Sequence, residues 1–210
     1  MKNNSEKNCR NNSRQQILAT AITLFAHQGF DKTGLRELAK TAGVNLAMVN
    51  YFFGSKNKLL TEILDIFFSQ YVDIARTTLS GDDELSVKLE RFILKAIKFF
   101  AENREFLIIA ITDLHHEDEE IIGHKSTWAR QMFKIVELEI CHRLAEERNL
   151  KLSPKLIMPM LTSIMSSRFL FSPVMEQIED NETYDMSLQR YAETITAIVL
   201  DGILGQKVLR

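Results

Sequence analysis

Residues 31 to 60, DKTGLRELAKTAGVNLAMVNYFFGSKNKLL, carry the pattern that decides the fold of this chain. The hydroxyl of Thr33 is expected to cap a first short helix. The apolar residues that share one face of this helix are Leu35, Leu38, Ala39 and Ala42. Gly43 follows where the chain must make a left-handed turn, which costs a residue with a side chain about 1 kcal/mol or more. Asn45 is then expected to cap a second short helix that ends at Gly54.

The second helix is expected to bury one face and to expose the other. Val49 and Phe53, four residues apart, would turn inward together with Val44. The residues left outside or at the edge are Leu46, Ala47, Met48, Asn50 and Tyr51. Lys56 follows beside this exposed face, where a phosphate contact is expected. Two short helices joined by a glycine turn form the helix-turn-helix unit, which places its second helix in a DNA groove.

These residues resemble the DNA-binding motif of tetracycline-repressor (TetR) type transcriptional regulators. The order F-x-x-T-x-x-R-x-[LI]-A-x-x-A-G-V is followed by a helix and then by Y-x-F-x-S-K-x-x-L-L. The matching residues are Phe30, Thr33, Arg36, Leu38, Ala39, Ala42, Gly43, Val44, Tyr51, Phe53, Ser55, Lys56, Leu59 and Leu60. The resemblance covers about the first sixty residues. It implies an N-terminal three-helix helix-turn-helix domain followed by a C-terminal helical domain for ligand binding and dimerisation.

The charges are divided unevenly along the 210 residues, although the net charge is only −2. Residues 1 to 60 carry a formal charge of +6, whereas residues 61 to 210 carry −8. A basic end suits a polyanion such as double-stranded DNA, and an acidic remainder repels it. With 45% apolar residues, the chain is long enough to bury a large core in one or two domains.

The spacing of apolar residues predicts an all-α chain of about nine helices, because they recur at three and four positions and only three prolines interrupt them. A capping box at residues 13–16 is expected to open the first helix. A long helix over 56–79 would link the two halves of the molecule. The predicted domains are a flexible polar tail (1–12), the helix-turn-helix domain (13–60) and the ligand-binding and dimerisation domain (61–210).

The cellular location of the protein and its expected lack of enzyme activity are predicted mainly from features that the sequence does not contain. The longest apolar run, 106–111, is far shorter than the roughly 20 residues of a membrane span. Cys9 and Cys141 have no metal or redox spacing, so a soluble protein of the reducing cytoplasm is expected. The sequence contains no motif for a catalytic nucleophile, a nucleotide phosphate or a zinc protease, so the chain is not expected to be an enzyme or to hold a cofactor.

One acidic segment allows a metal-site alternative. His116, Glu120 and His124 are spaced at four residues and would share one face of a continuous helix. Gly123 weakens such a helix, and acidic runs are usually solvated connections. The sequence is therefore interpreted as having no metal site there.

The last two predicted helices carry apolar residues around most of their circumference. One interpretation is a buried helix pair within a monomer; the other, which we favour, is a homodimer contact. A two-fold axis would give two recognition helices the spacing of about 34 to 36 Å between successive major grooves, and the resemblance implies dimerisation through the same helices. The expected interface residues are Met160, Leu161, Ile164, Ile195, Val199 and Gly202.

The resemblance also implies that the middle helices enclose a ligand pocket. Many bulky residues lie there, and core packing is the default explanation for each of them. The candidates for lining a pocket for an apolar or aromatic effector are Phe99, Trp128, Met132 and Phe169.

The residue types of the motif predict how DNA would be bound. Tyr51, Lys56 and Thr33 are expected to contact phosphates. Apolar side chains can touch thymine methyl groups, and Asn50 can bond adenine, so an A/T-rich palindrome bound with strong salt dependence is expected. The predicted DNA-binding residues are Thr33, Arg36, Asn45, Leu46, Ala47, Met48, Asn50, Tyr51 and Lys56.

The sequence departs from the usual family pattern at the start of the second motif helix, which is Asn45-Leu46-Ala47, and at Asn50 and Phe52, where Tyr and His are frequent.

The overall interpretation is a homodimeric repressor that a small ligand releases from DNA. The alternatives are a constitutive DNA-binding regulator and a helical ligand-binding or metal-dependent enzyme.

Overall fold

The computed structural model describes residues 2–112, 118–178 and 187–204. Within them the secondary structure is helical, with no strand, which confirms the all-α prediction. The helices are α1 (Lys2–Gln28), α2 (Leu35–Thr41), α3 (Leu46–Phe53), α4 (Lys56–Leu79), α5 (Leu85–Glu102), α6 (Arg104–Thr112), α7 (Glu119–Val136), α8 (His142–Arg148), α9 (Pro154–Met175) and α10 (Leu188–Leu204). A π-helical turn, Glu137–Cys141, joins α7 to α8 without a break, so the described residues form nine helical rods.

The first helix begins earlier than the sequence indicates. α1 starts at Lys2, so residues 2–12 are helical and the predicted capping box lies inside a helix. No proline or glycine interrupts this segment, which lets the helix continue. α7 starts at Glu119 because the carboxylate of Asp118 accepts hydrogen bonds from the backbone N–H groups of Glu120 (3.0 Å) and Ile121 (3.2 Å).

The helices form two compact units whose limits differ from the predicted boundary at residue 60. The first unit, here called the head, comprises Met1–Phe68 and Glu105–Lys125. The second, here called the body, comprises Ser69–Arg104 and Ser126–Arg210. Side chains join the two stretches of the head: Asn57 donates to Asp118 at 2.8 Å, and His124 Nε2 lies 2.7 Å from Asp65 Oδ1. These polar contacts hold the start of α7 to the rest of the head, and Thr23 and His27 of α1 contact Glu105 of α6.

An aromatic cluster lies in the core of the body. The ring of Tyr71 packs at centroid distances of 6.1 Å from Phe92, 6.5 Å from Phe99 and 5.1 Å from Phe100. Phe169 from α9 meets Phe100 edge to face. Such offset and edge-to-face pairs add to the stabilisation that burial of the rings provides. The cluster therefore ties α4, α5 and α9 together within the body.

A buried ion pair also crosses the body. Lys88 of α5 has no exposed side-chain surface, and its Nζ donates to Glu139 Oε2 at 3.0 Å. Glu139 lies in the π-helical turn, and 27% of its side chain is exposed. A π turn is rare and occurs mostly as a single turn inside an α-helix, frequently at functional sites. Here it carries the carboxylate that neutralises a buried ammonium group.

The phenol of Tyr71 should make the stability of the body depend on alkaline pH. Burial raises its pKa to about 12, against which the hydrogen bond with Thr162 acts weakly. The unfolded chain ionises first, near the ordinary value of 10, so the contribution of this group is intact below pH 10 and is lost as the pH rises to 12. Between pH 9 and pH 11.5 we expect a loss of about 2 kcal/mol. Urea unfolding at pH 9 and pH 11.5 would measure it.

Other groups titrate in the same range, so the comparison needs Tyr71→Phe as a reference. The free energy of unfolding of the parent should fall more steeply with pH than that of the variant. Parallel curves for the two proteins would contradict the assignment to Tyr71.

Among the described residues, no helix is long and apolar enough to cross a membrane.

Candidate nucleic-acid interface

A small apolar core holds α1, α2 and α3 of the head together. Leu38 of α2 is fully buried, and Val49 and Phe53 of α3 are nearly so. Phe25 at the end of α1 meets Phe30 edge to face, with ring centroids 5.2 Å apart. Burying side chains of this size stabilises a fold by about 1.5 to 3 kcal/mol each. The core thus fixes α3 on its inner face and leaves its outer face in solvent.

The turn between α2 and α3 has the predicted form. Gly43 has a φ of +65°, the left-handed conformation that favours glycine. The N–H of Val44 donates to the carbonyl of Ala39 at 2.9 Å, which closes the end of α2. Gly54, with φ +74°, ends α3 in a similar way. The two glycine positions predicted from the sequence are confirmed.

α3 presents the face that the sequence indicated. Asn45 caps the helix, because its side-chain oxygen accepts a hydrogen bond from the backbone N–H of Met48 at 2.9 Å. Tyr51 is 73% exposed. Ala47 and Asn50 are also exposed, whereas Leu46, Met48 and Val44 are half-buried. An exposed aromatic ring beside small apolar and amide groups is a surface that can contact DNA bases and phosphates.

Thr33 does not have the predicted role. It is only 1% exposed, and its hydroxyl donates to the carbonyl of Gly29 at 2.9 Å. The cap of α2 is Gly34, which has no side chain to make a capping hydrogen bond. Thr33 therefore holds the α1–α2 connection together, and the predicted phosphate contact and helix cap at this residue are wrong. Its burial depends on α1, which lies outside the motif.

Lys56 is half-buried and already engaged within the head. Its Nζ lies 4.2 Å from the centroid of the Phe30 ring and 3.4 Å from the carbonyl oxygen of Asp31, to which it donates. An ammonium group over an aromatic face is attracted by the ring quadrupole. A phosphate contact by Lys56 stays a prediction, but this side chain also fastens the start of α4 to the α1–α2 turn.

The head exposes further cations that sequence reasoning did not assign to DNA. Lys40 is one of them, and it lies on the exposed side of α2 one turn after Arg36, which was predicted to bind DNA. Lys32 and Lys58 are exposed in the turn before α2 and in the first turn of α4. The spacing of Arg36 and Lys40 at four residues, opposite the apolar face of α2, was the available signal. Such groups suit phosphate contacts on either side of a groove.

The four predicted pocket residues do not line one cavity. Phe99 and Phe169 are buried in the aromatic cluster, and Met132 is 2% exposed. Trp128 is half-buried and lines an open groove of about 380 Å³ in the body. The other residues of this groove are Ser69, Gln70, Val72, Asp73, Arg76 and Gln131. Only Trp128 of the four predicted pocket residues lines this groove.

Three of the predicted interface residues are core residues of the body. Leu161 and Ile195 are 5% exposed and Val199 is 6% exposed, so their assignment to a dimer contact is corrected. Met160 is 60% exposed, Gly202 is exposed and Ile164 is half-buried. The apolar surface of α9 and α10 is formed instead by Leu156, Met160, Phe171, Val174, Met175, Leu188 and Ile198, all at least 40% exposed.

The metal alternative gains no support from the described residues. His116 lies outside them, Glu120 is exposed, and His124 bonds to Asp65. No group of three or more His, Cys, Asp or Glu side chains in the described part of the chain is arranged to hold a metal ion.

Comparison with known proteins gives the same picture of the head. A family model described as bacterial regulatory proteins, tetR family, matches residues 17–63. A probable HTH-type transcriptional regulator of Bacillus subtilis, YttP, is 33% identical over 69 residues, which is 33% of each chain. The HTH-type transcriptional regulator AcrR of Shigella flexneri is 31% identical over 122 residues, 57% of this chain and 52% of AcrR. The matches thus span between a third and about half of the length of these curated relatives.

A solved structure extends the likeness to the whole fold. The transcriptional regulator FadR of Bacillus subtilis, solved in complex with stearoyl-CoA, has a TM-score of 0.69 at 17% identity, covering 90% of this chain and 98% of that chain. This likeness supports the predicted arrangement of an N-terminal helix-turn-helix domain and a C-terminal helical domain.

A capped, outward-facing α3 behind a glycine turn, on a three-helix core, defines a helix-turn-helix protein. The matches to its sequence make the assignment narrower: residues 17–63 match the tetR family of bacterial regulatory proteins. The relatives reported above are named as transcriptional regulators. The predicted resemblance to TetR-type transcriptional regulators is therefore confirmed for residues 17–63.

Proposed function

We propose that this protein is a cytoplasmic, homodimeric, DNA-binding transcriptional repressor that a small molecule releases from its operator. The observation that carries the proposal is the exposed face of α3, which is capped by Asn45, anchored by Val49 and Phe53, and open to solvent at Tyr51. A short helix held in this way on a rigid core fits the major groove of DNA.

On the DNA side, α3 would read bases and the surrounding cations would hold phosphates. Ala47 and Met48 can touch thymine methyl groups, and Asn50 can form two hydrogen bonds with adenine. Arg36, Lys40 and Lys58 are exposed on the helices on either side of α3. Because α3 itself carries no cation, most of the salt-dependent affinity would come from these neighbours. An A/T-rich operator with strong salt dependence remains the expectation.

A homodimer is supported by the apolar surface of α9 and α10. Monomeric proteins rarely expose contiguous apolar surfaces of more than a few hundred Å². A two-fold contact through this surface would pair two heads and match them to a palindromic operator.

Release by a ligand is supported by the way the units share helices. α4 contributes residues 56–68 to the head and 69–79 to the body, where Ser69, Val72 and Arg76 line the open groove. A ligand that binds better to one position of α4 than to another would shift the equilibrium between two positions of the recognition helices. FadR of Bacillus subtilis was solved with stearoyl-CoA, so a related fold binds a large ligand with an apolar chain. We propose an apolar or aromatic effector for this chain.

One observation favours a second candidate, a constitutive regulator without a ligand. Phe99, Met132 and Phe169 are buried among neighbouring side chains and leave little surface for an effector. Thermal melting with a panel of fatty acids, acyl-CoA esters and aromatic acids distinguishes a repressor that a ligand releases from a constitutive regulator. Binding of any of these that also weakens DNA binding supports release, because a ligand of the folded state raises the melting temperature.

The DNA-binding proposal predicts the behaviour of two head variants. Lys40→Ala should weaken binding to DNA from the upstream region of the protein's own gene about five- to tenfold and reduce the slope of log K against log salt by about one. Tyr51→Ala should weaken binding by a similar factor with less change in slope, because the phenol is uncharged. Gel shifts at several salt concentrations would measure both effects.

Lys98→Ala is the matched control, since Lys98 of the body is 76% exposed. If both head variants bind as tightly as this control, α3 is not the DNA-reading surface. If the parent protein shows no saturable, salt-sensitive shift on any upstream fragment, the proposed function itself is wrong.

A further inference from the structure

Arg14 of α1 makes contacts with two other helices of the head. Its Nη2 lies 2.5 Å from Oε1 of Glu62, which belongs to α4. The carbon at the centre of its guanidinium group lies 5.2 Å from the ring centroid of Phe53, the last residue of α3. One side chain therefore connects α1, the recognition helix and the helix that runs on into the body.

The position of Arg14 on α1 explains why it turns inward. Ile17 and Ala21, three and seven residues later, are fully buried, so Arg14 lies on the core-facing side of α1. Its side chain is 41% exposed, with the stem along the core and the charged end at the rim. Arg36 and Lys40, by contrast, lie on an exposed helix face.

A planar guanidinium suits both partners at once. It can lie against the face of an aromatic ring while its N–H groups donate to a carboxylate at its edge, which a lysine ammonium cannot do in the same geometry. Phe53 is 5% exposed and anchors the end of α3, so the orientation of its ring is linked to the orientation of the helix. Glu62 fixes the guanidinium from the other side.

We propose that Arg14 is a positioning residue for DNA recognition: it sets the orientation of α3 by bridging the Phe53 ring and the Glu62 carboxylate, without touching DNA. The inference rests on the proposed function, since it concerns the affinity of the head for its operator. A misplaced recognition helix loses base contacts, but the exposed cations still attract DNA of any sequence. Arg14 should therefore act on specific binding alone.

The test compares specific and non-specific affinity in variants of the full-length protein. Arg14→Met keeps the apolar stem, and Arg14→Lys keeps the charge but loses the planar group. Arg14→Met should weaken binding to the operator about fivefold, as expected for loss of one cation–π contact and one partly exposed ion pair, and Arg14→Lys, which can keep only one of the two contacts, should weaken it about two- to threefold. Binding to a scrambled fragment and the salt slope on the operator should both equal those of the parent.

Glu62→Gln tests the same ion pair from its other partner and leaves Arg14 in place. It should weaken operator binding about two- to threefold, and the double variant Arg14→Met/Glu62→Gln should bind no more weakly than Arg14→Met, because both changes remove one interaction. Lys98→Met is the control. All affinities are measured at a temperature at which far-ultraviolet circular dichroism shows each variant fully folded.

The outcomes separate three roles. Loss of affinity on both fragments, with the salt slope reduced by about one and Arg14→Lys behaving like the parent, would make Arg14 a phosphate contact and overturn the proposal. A lower melting temperature with unchanged operator affinity would show a purely structural role and also overturn it. Failure of the parent to bind any operator would count against the proposed function, whereas a binding parent with unaffected variants would refute the role of Arg14.

Discussion

Replacing Glu139 with leucine is expected to lower the free energy of unfolding by about 3 kcal/mol, the low end of the range for removing one partner of a buried ion pair. The substitution leaves the ammonium of Lys88, which has no exposed side-chain surface, without its 3.0 Å carboxylate partner. We take the low end because 27% of the Glu139 side chain is exposed. Urea unfolding followed by circular dichroism would measure the loss.

The reciprocal variant, Lys88→Met, should lower the free energy of unfolding less than Glu139→Leu does. Lys88→Met places an apolar side chain of similar length in the buried position, and Glu139 can still turn toward water. The double variant Lys88→Met/Glu139→Leu should unfold within about 1 kcal/mol of the parent, because well-packed apolar replacements of a buried pair are often neutral. If Glu139→Leu proves no more destabilising than Lys88→Met, then neutralising the buried charge of Lys88 is not the role of the π-helical turn.

Phe171→Arg is expected to lower operator affinity by at least about 100-fold. Phe171 of α9 is 58% exposed on the proposed dimer surface, and buried like charges across a two-fold interface would separate the subunits. Two linked heads bind a palindrome with an effective concentration that a single head lacks, which is worth about 100-fold or more in affinity. Sedimentation velocity should show a monomer, and gel shifts should show the loss of operator binding.

Ile122→Arg is the matched control for this experiment. Ile122 is 48% exposed, but it belongs to the head and not to α9 or α10. The Ile122→Arg variant should remain dimeric, with operator affinity close to that of the parent. A dimeric Phe171→Arg protein, or a parent that sediments as a monomer at micromolar concentration, would refute the proposed interface.

The head could be predicted well because its signals are local. Gly43, Asn45 and Gly54 each impose a turn or a cap within a few residues of themselves, so the sequence alone places them correctly. Thr33 was misassigned for the opposite reason. A threonine before a helix is a typical cap, and its burial and its bond to Gly29 depend on the packing of α1.

Contacts between distant residues could not be predicted in the same way. Lys88 and Glu139 are 51 positions apart, and neither has a neighbour in sequence that signals the pair. Helical spacing marked Leu161, Ile195 and Val199 as apolar residues to be buried, but it does not distinguish the core of one chain from the surface buried by a partner, so they were wrongly assigned to the dimer contact. The same ambiguity applies to Phe99 and Phe169, for which ordinary core packing was the default interpretation.

The composition of the head from two stretches of chain has a consequence for how the protein is made. Residues 69–104 are synthesised after the motif but belong to the body, and α6 and Asp118 follow only later. At about 5 to 20 residues per second, the partners of Asn57 and Asp65 leave the ribosome several seconds after these residues do. A nascent or truncated chain that ends near residue 68 would present the DNA-reading helix before its scaffold is complete. A recombinant head for binding studies therefore needs residues 105–125 as well as 1–68.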